Sequence, residues 1–148
     1  MGDLTRDFSR AEFACKDGCG YDAIDVALVD ALQQLRDIIG RPLVVLSGCR
    51  CAAHNANVGG VGNSQHMLGK AADVHAPSWR PRAAYSQPMS ARALYAAAAK
   101  IPSFHGLGVD DQRGFVHLDI RVLSPMQSPA RWCYRNGAVI PWTEEARG

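Results

Sequence analysis

Two stretches decide how this chain reads: SQHMLGKAADVHA at residues 64–76, and the shorter FVHLD at residues 115–119. Side chains alternate across a strand, so Val116 and Leu118, with Ile120 beyond them, pack one face, while Phe115, His117 and Asp119 turn to the other. A histidine and an aspartate on one strand face mark a polar site rather than a core. In the earlier stretch Ala71, Asp73 and His75 share a face, with Ala72 and Val74 opposite. Gly69, Ala71 and Ala72 are small enough for the backbone to close around whatever Asp73 holds. His66 stands before this strand. It follows a loop with Gly59, Gly60 and Gly62 that can fold back. Two imidazoles and one carboxylate, from His66, Asp73 and His117, leave a fourth position for water, which is the donor set expected of a catalytic zinc; the spacing alone is equally that of hydrogen-bonded His–Asp pairs.

Working outward, Ser9 and Glu12 have the spacing of a capping box, so a short helix is expected from Ser9. Asp25 can cap a longer one, in which Leu28, Val29, Leu32, Leu35 and Ile39 form an apolar stripe that Gly40 and Pro42 end. Residues 43–46 read as a short buried strand and residues 51–58 as a helical turn. Ser90 caps a helix through Lys100, which Pro102 stops. Residues 106–109 and 115–122 read as two strands, and Asn136-Gly137 as the turn of a last hairpin reaching Trp142. Helices come early and strands late, which favours α+β over a doubly wound sheet.

With 148 residues, 47% hydrophobic and 20% charged, the chain is expected to fold as one domain over residues 1–148. A net charge of +2 is too small to point to nucleic acid, and no apolar run has the length of a membrane helix. The first nine residues are polar and lack the pattern of a secretory signal. The expected protein is a monomer that does not insert into membranes.

Five cysteines, at 15, 19, 49, 51 and 133, leave at least one thiol outside any intramolecular disulfide set. Cys15, Cys19, Cys49 and Cys51 could bind a structural zinc, form disulfides or stay reduced. Cys133 reads as a packed or free thiol.

The motifs Ser64-x-His66, Gly69-x-Ala71-x-Asp73 and a later strand histidine, His117, closely resemble the D-Ala-D-Ala metallopeptidase family, whose fold is shared with lysostaphin-type enzymes and the hedgehog signalling domain. Ser47-Gly48-x-Arg50 followed by His54-Asn55 resembles one subgroup, as do the segment from Phe8 to Phe13, the Cys15 loop and Arg131-Trp132. The resemblance implies a small antiparallel sheet flanked by helices. It also implies Zn2+ held by His66, Asp73 and His117, and hydrolysis of peptidoglycan peptides, with endopeptidase favoured over carboxypeptidase. Many such proteins are phage lysis enzymes. A chain of this kind would be made in the bacterial cytoplasm and reach the wall by release or delivery. Arg50 is expected to hold a substrate carboxylate or polarise the scissile carbonyl, and Ser64 and Gln65 to position peptide or brace His66. Many relatives carry a glutamate base three residues before the last histidine, where this chain has Gly114. Asp119 is the available substitute, as base or as a group orienting the site. In an alternative assignment Asp119 is the ligand and His117 the base. The missing glutamate also leaves room for a binding module that keeps the zinc fold without turnover.

Overall fold

The computed structural model describes residues 2–141; Trp142 lies outside them. Helix α1 (Val26–Ile39) starts where the Asp25 side chain accepts the Ala27 N–H and stops at Gly40, whose φ of 67° is left-handed. Its buried stripe is Leu28, Val29, Ala31, Leu32 and Leu35. Helix α2 (Ala52–Asn57) is short and is capped by the Cys51 sulfur. Helix α3 (Ala91–Ala98) begins where Ser90 Oγ accepts the Ala93 N–H. The expected helix at Ser9 is a single 3-10 turn, Arg10–Phe13, held by the Glu12 carboxylate accepting the Ser9 N–H at 2.6 Å.

Six strands form one sheet: β1 (Val44–Ser47), β2 (Ala71–His75), β3 (Gly106–Asp110), β4 (Phe115–Asp119), β5 (Ala130–Arg135) and β6 (Ala138–Pro141), in the order β1-β2-β4-β3-β5-β6. The content is α+β, but the sheet is mixed rather than antiparallel throughout, because β3 and β5 run parallel. After β4 the connection 120–129 passes the start of β3 instead of turning back tightly. It therefore delivers β5 to the far side of β3 in the same direction as β3. β4 also ends earlier than residue 122. The Asp119 carboxylate accepts the Arg121 N–H at 3.1 Å, a side-chain turn that takes the backbone out of the ladder. β1 is an edge strand, with Val45 buried but Val44 and Leu46 exposed, rather than a buried one.

Strand parity divides the sheet as the alternation requires. Ala72, Val74, Leu107, Val109, Val116 and Leu118 join Leu28, Leu32, Leu35, Leu94 and Phe104 in one apolar core. Burial of this face supplies the main stabilisation, at about 25 cal/mol per Å² of apolar surface. Asp73 and Ala71 take the opposite face of β2. The register sets Asp73 against His117 and Ala71 against Asp119, so two central strands carry the polar residues side by side.

Candidate metal centre

His66 is brought to the sheet by a 3-10 turn, Gln65–Leu68. Ser64 starts it by accepting the His66 N–H on its hydroxyl, and Gly69 ends it with φ 69°. His66 is 2% exposed. Its Nδ1 lies 2.8 Å from the Gly48 carbonyl. A carbonyl only accepts, so Nδ1 carries the proton and the Nε2 lone pair is directed at Asp73, 3.2 Å from Oδ1. His117 reaches the same oxygen through Nδ1 at 3.0 Å. One ligand atom from each of His66, Asp73 and His117 lies within 4.8 Å of the other two, a spacing suited to one metal ion. Burial disfavours the Asp73 charge. The facing His66 and His117 outweigh it and hold the carboxyl well below its usual range. Burial likewise opposes charge on His117, yet its bonds to Asp119 and Asp73 push its pKa up to about 9. The buried carboxylates thus favour a cation at this point, and imidazole nitrogens with a carboxylate oxygen are donors that zinc accepts.

Asp119 is fully buried behind His117. Oδ2 accepts His117 Nε2–H at 2.7 Å and Arg121 Nη2–H at 2.7 Å, and Oδ1 accepts Arg121 Nε–H at 2.9 Å and the Arg121 backbone N–H. Burial resists the Asp119 charge, but Arg121 and His117 keep the carboxyl well below its ordinary value. A histidine that presents one nitrogen to a metal commonly gives its other N–H to a carboxylate in this way.

Arg50 is held on three sides. Nε donates to Ser47 Oγ at 3.1 Å, Nη1 to Asn55 Oδ1 at 3.4 Å and Nη2 to Asp73 Oδ2 at 3.2 Å. Arg50, Gln65, His66, Asp73 and His117 line a cleft of about 520 Å³, together with Arg113, Trp132 and Tyr134. Ser64 reaches the cleft too, but its hydroxyl is engaged by the His66 turn. His75 is half-buried at the end of β2 and does not join the cluster, and His105 Nδ1 donates to the Arg121 carbonyl. Among the described lining residues Asp73 is the sole carboxylate.

A model of the family described as Peptidase M15 matches residues 6–119. The chain belongs to the M15 peptidases. Over 48 residues it is 48% identical to a zinc D-Ala-D-Ala carboxypeptidase of Streptomyces albus G. That alignment covers 32% of this chain and only 19% of the relative's length.

Beyond the matched residues the cleft gains Trp132, which the Arg131-Trp132 motif marked without a role, and Tyr134, which no motif disclosed. The Trp132 ring packs 5.1 Å from His117, with the Arg121 guanidinium 5.1 Å from its centroid. A Cβ at Gly108 would fall 2.4 Å from Trp132 Nε1, and one at Gly106 would fall 2.2 Å from Asp119 Oδ2. The alternate glycines of β3 therefore clear the space that these two side chains fill. Burial pushes the Tyr134 phenol up to about 12, so it stays protonated and can donate a hydrogen bond into the cleft. The Gly-x-Gly of β3 was the available sequence signal, readable once β3 is known to lie between β4 and β5.

Proposed function

We propose that this M15 peptidase hydrolyses peptide bonds of peptidoglycan with one zinc held by His66 Nε2, Asp73 Oδ1 and His117 Nδ1. The convergence of these three donor atoms on one point within an open cleft carries the reading. A zinc ion bound there supplies Lewis acidity, polarising a carbonyl and lowering the pKa of water.

The remaining work falls to side chains. The Gly48 carbonyl and Asp119 fix the tautomers of His66 and His117, so that each presents a lone pair. Asp119 therefore orients His117. With four N–H groups on its two oxygens it is poorly placed to take a proton from the cleft. Arg50, braced by Ser47 and Asn55, keeps Asp73 in place and offers positive charge to a substrate carboxylate or carbonyl. The Tyr134 hydroxyl is a second donor toward charge developing on that oxygen. Gln65 is placed to contact peptide, and Ser64 braces the His66 turn. Endopeptidase action by a single-domain monomer, in lysis or remodelling of the wall, is the finer reading.

One observation favours a second reading. No carboxylate other than Asp73 lines the cleft among the described residues, and a binding module would need none. Incubation with purified peptidoglycan, with and without a chelator, separates the two. The enzyme clears the suspension or releases peptides, stops with chelator and recovers with zinc. Soluble cross-link fragments indicate endopeptidase, and free D-alanine indicates carboxypeptidase. Sedimentation with the wall and no product in zinc would establish the module instead.

A further inference from the structure

A second cluster of ligand atoms lies outside the cleft. Cys15, Asp17, Cys19 and Cys51 each place one within 4.8 Å of the others. The loop that does this is tightly wound. Cys15 N–H donates to the Tyr21 carbonyl at 2.8 Å, and Cys19 N–H to Asp17 Oδ1 at 2.9 Å. Gly18 and Gly20 adopt φ of 78° and 90°, conformations that glycine takes without steric cost. These turns fold Asp17 and Cys19 back over Cys15. Cys51 arrives from the other side of the loop, at the start of α2. Cys49 is packed in the apolar core and takes no part, so of the four cysteines that the sequence left open to zinc, disulfides or free thiols, three cluster, and Asp17 joins them.

Three features of the cluster suit a metal better than free thiols. The Cys15 and Cys51 sulfurs are 3.9 Å apart. This is far beyond a disulfide bond of about 2.05 Å. It is close to the edge of about 3.8 Å in a tetrahedron with metal–sulfur bonds of about 2.3 Å. Both sulfurs also receive backbone N–H groups, Cys15 from Cys51 at 3.5 Å and Cys51 from His54 at 3.4 Å. Each sulfur thus sits as an acceptor, and the position at the head of α2 normally takes a hydroxyl or carboxylate oxygen. Lastly, Asp17 Oδ2 lies 2.9 Å from Cys51 Sγ, which completes a four-membered donor set with no position left open.

We propose that Cys15, Asp17, Cys19 and Cys51 bind a second zinc ion, closed and structural, which clasps the N-terminal loop to the turn carrying Arg50. Binding releases the thiol protons and leaves three thiolates and one carboxylate around the ion. Its mechanical consequence follows from sequence: Cys51 is bonded to Arg50, so the clasp fixes one end of the residue that braces Asp73.

The test uses the full chain kept under reductant, with zinc content and cobalt substitution as readouts. Thiolate ligands give cobalt(II) a strong near-ultraviolet charge-transfer band that imidazole and carboxylate do not. The intact protein should bind about two metals and show the band. A His66→Ala/His117→Ala variant should keep about one metal and the whole band. Cys19→Ser, at an exposed position, should lose about a third or more of that band, and Asp17→Ala, which keeps all three thiolates, should keep the band but bind the second metal more weakly, each in folded protein as judged by circular dichroism. Absence of the band in both the intact chain and the histidine variant would overturn the proposal, as would a Cys15–Cys51 disulfide in the reduced preparation. Failure of the catalytic reading looks different: the histidine site stays empty while the band remains.

Discussion

Asp119→Asn separates the two roles that a buried carboxylate beside His117 can have. Four N–H groups converge on Asp119, two on each oxygen. Asparagine keeps one acceptor oxygen and replaces the other with a donor. If that oxygen stays with Arg121 Nε and the Arg121 backbone, the new amide faces His117 Nε2. The ring must then accept there and carry its proton on Nδ1, the nitrogen that faces Asp73. The lone pair needed by a metal is thereby lost. Losing a carboxylate that orients a ligand costs about 10- to 100-fold in metal affinity, or about 1.4 to 2.8 kcal/mol. The Arg121 side chain is 30% exposed, so water can solvate the charge left behind and the fold should persist. Competition with a fluorescent zinc chelator gives the affinity, and peptidoglycan clearance at rising zinc gives the rate. We expect weakened binding and a rate that recovers as zinc saturates. A variant that binds zinc like the parent yet has lost about 100-fold or more in rate at saturation would refute this reasoning and make Asp119 the base.

Three further outcomes are expected. Arg50→Lys keeps the charge but cannot reach Ser47, Asn55 and Asp73 together. Its kcat/KM on peptidoglycan fragments should fall about 10-fold or more with metal content unchanged, and parental kinetics would make Arg50 peripheral. Gly108→Ala forces Trp132 from its place beside His117, so urea denaturation should show a loss of about 1–3 kcal/mol and activity should drop with it. Gly69→Ala combines a left-handed φ with a Cβ 2.4 Å from the Ala23 carbonyl. The His66 turn should loosen, with a loss of about 1 kcal/mol or more in the same assay.

Local rules carried much of the fold into the sequence. The α1 stripe with Asp25 and Gly40 at its ends, the Ser90 cap of α3 and the Asn136-Gly137 turn each depend on neighbours a few residues apart. The alternation around Asp73 and His117 gave the polar face for the same reason. The parallel β3–β5 pairing did not show, since it depends on how the connection 120–129 passes the start of β3. Nothing local in those residues states it.

The site divides along the same line. His66, Asp73 and His117 could be grouped from residue type and strand parity. The role of Asp119 could not, because parity puts its side chain on the face of His117 without saying which ring nitrogen it meets. That depends on Arg121, which engages Asp119 from the turn just past β4 and draws both oxygens into its own hydrogen bonds. Trp132 was more deeply hidden. Its position beside His117 requires β5 to pair with β3 in the register that sets Gly108 against both His117 and Trp132. A side chain at residue 108 would block that approach. The glycine and the tryptophan are therefore one feature, split across two strands that only the folded sheet brings together. Substituting either should disturb the same histidine.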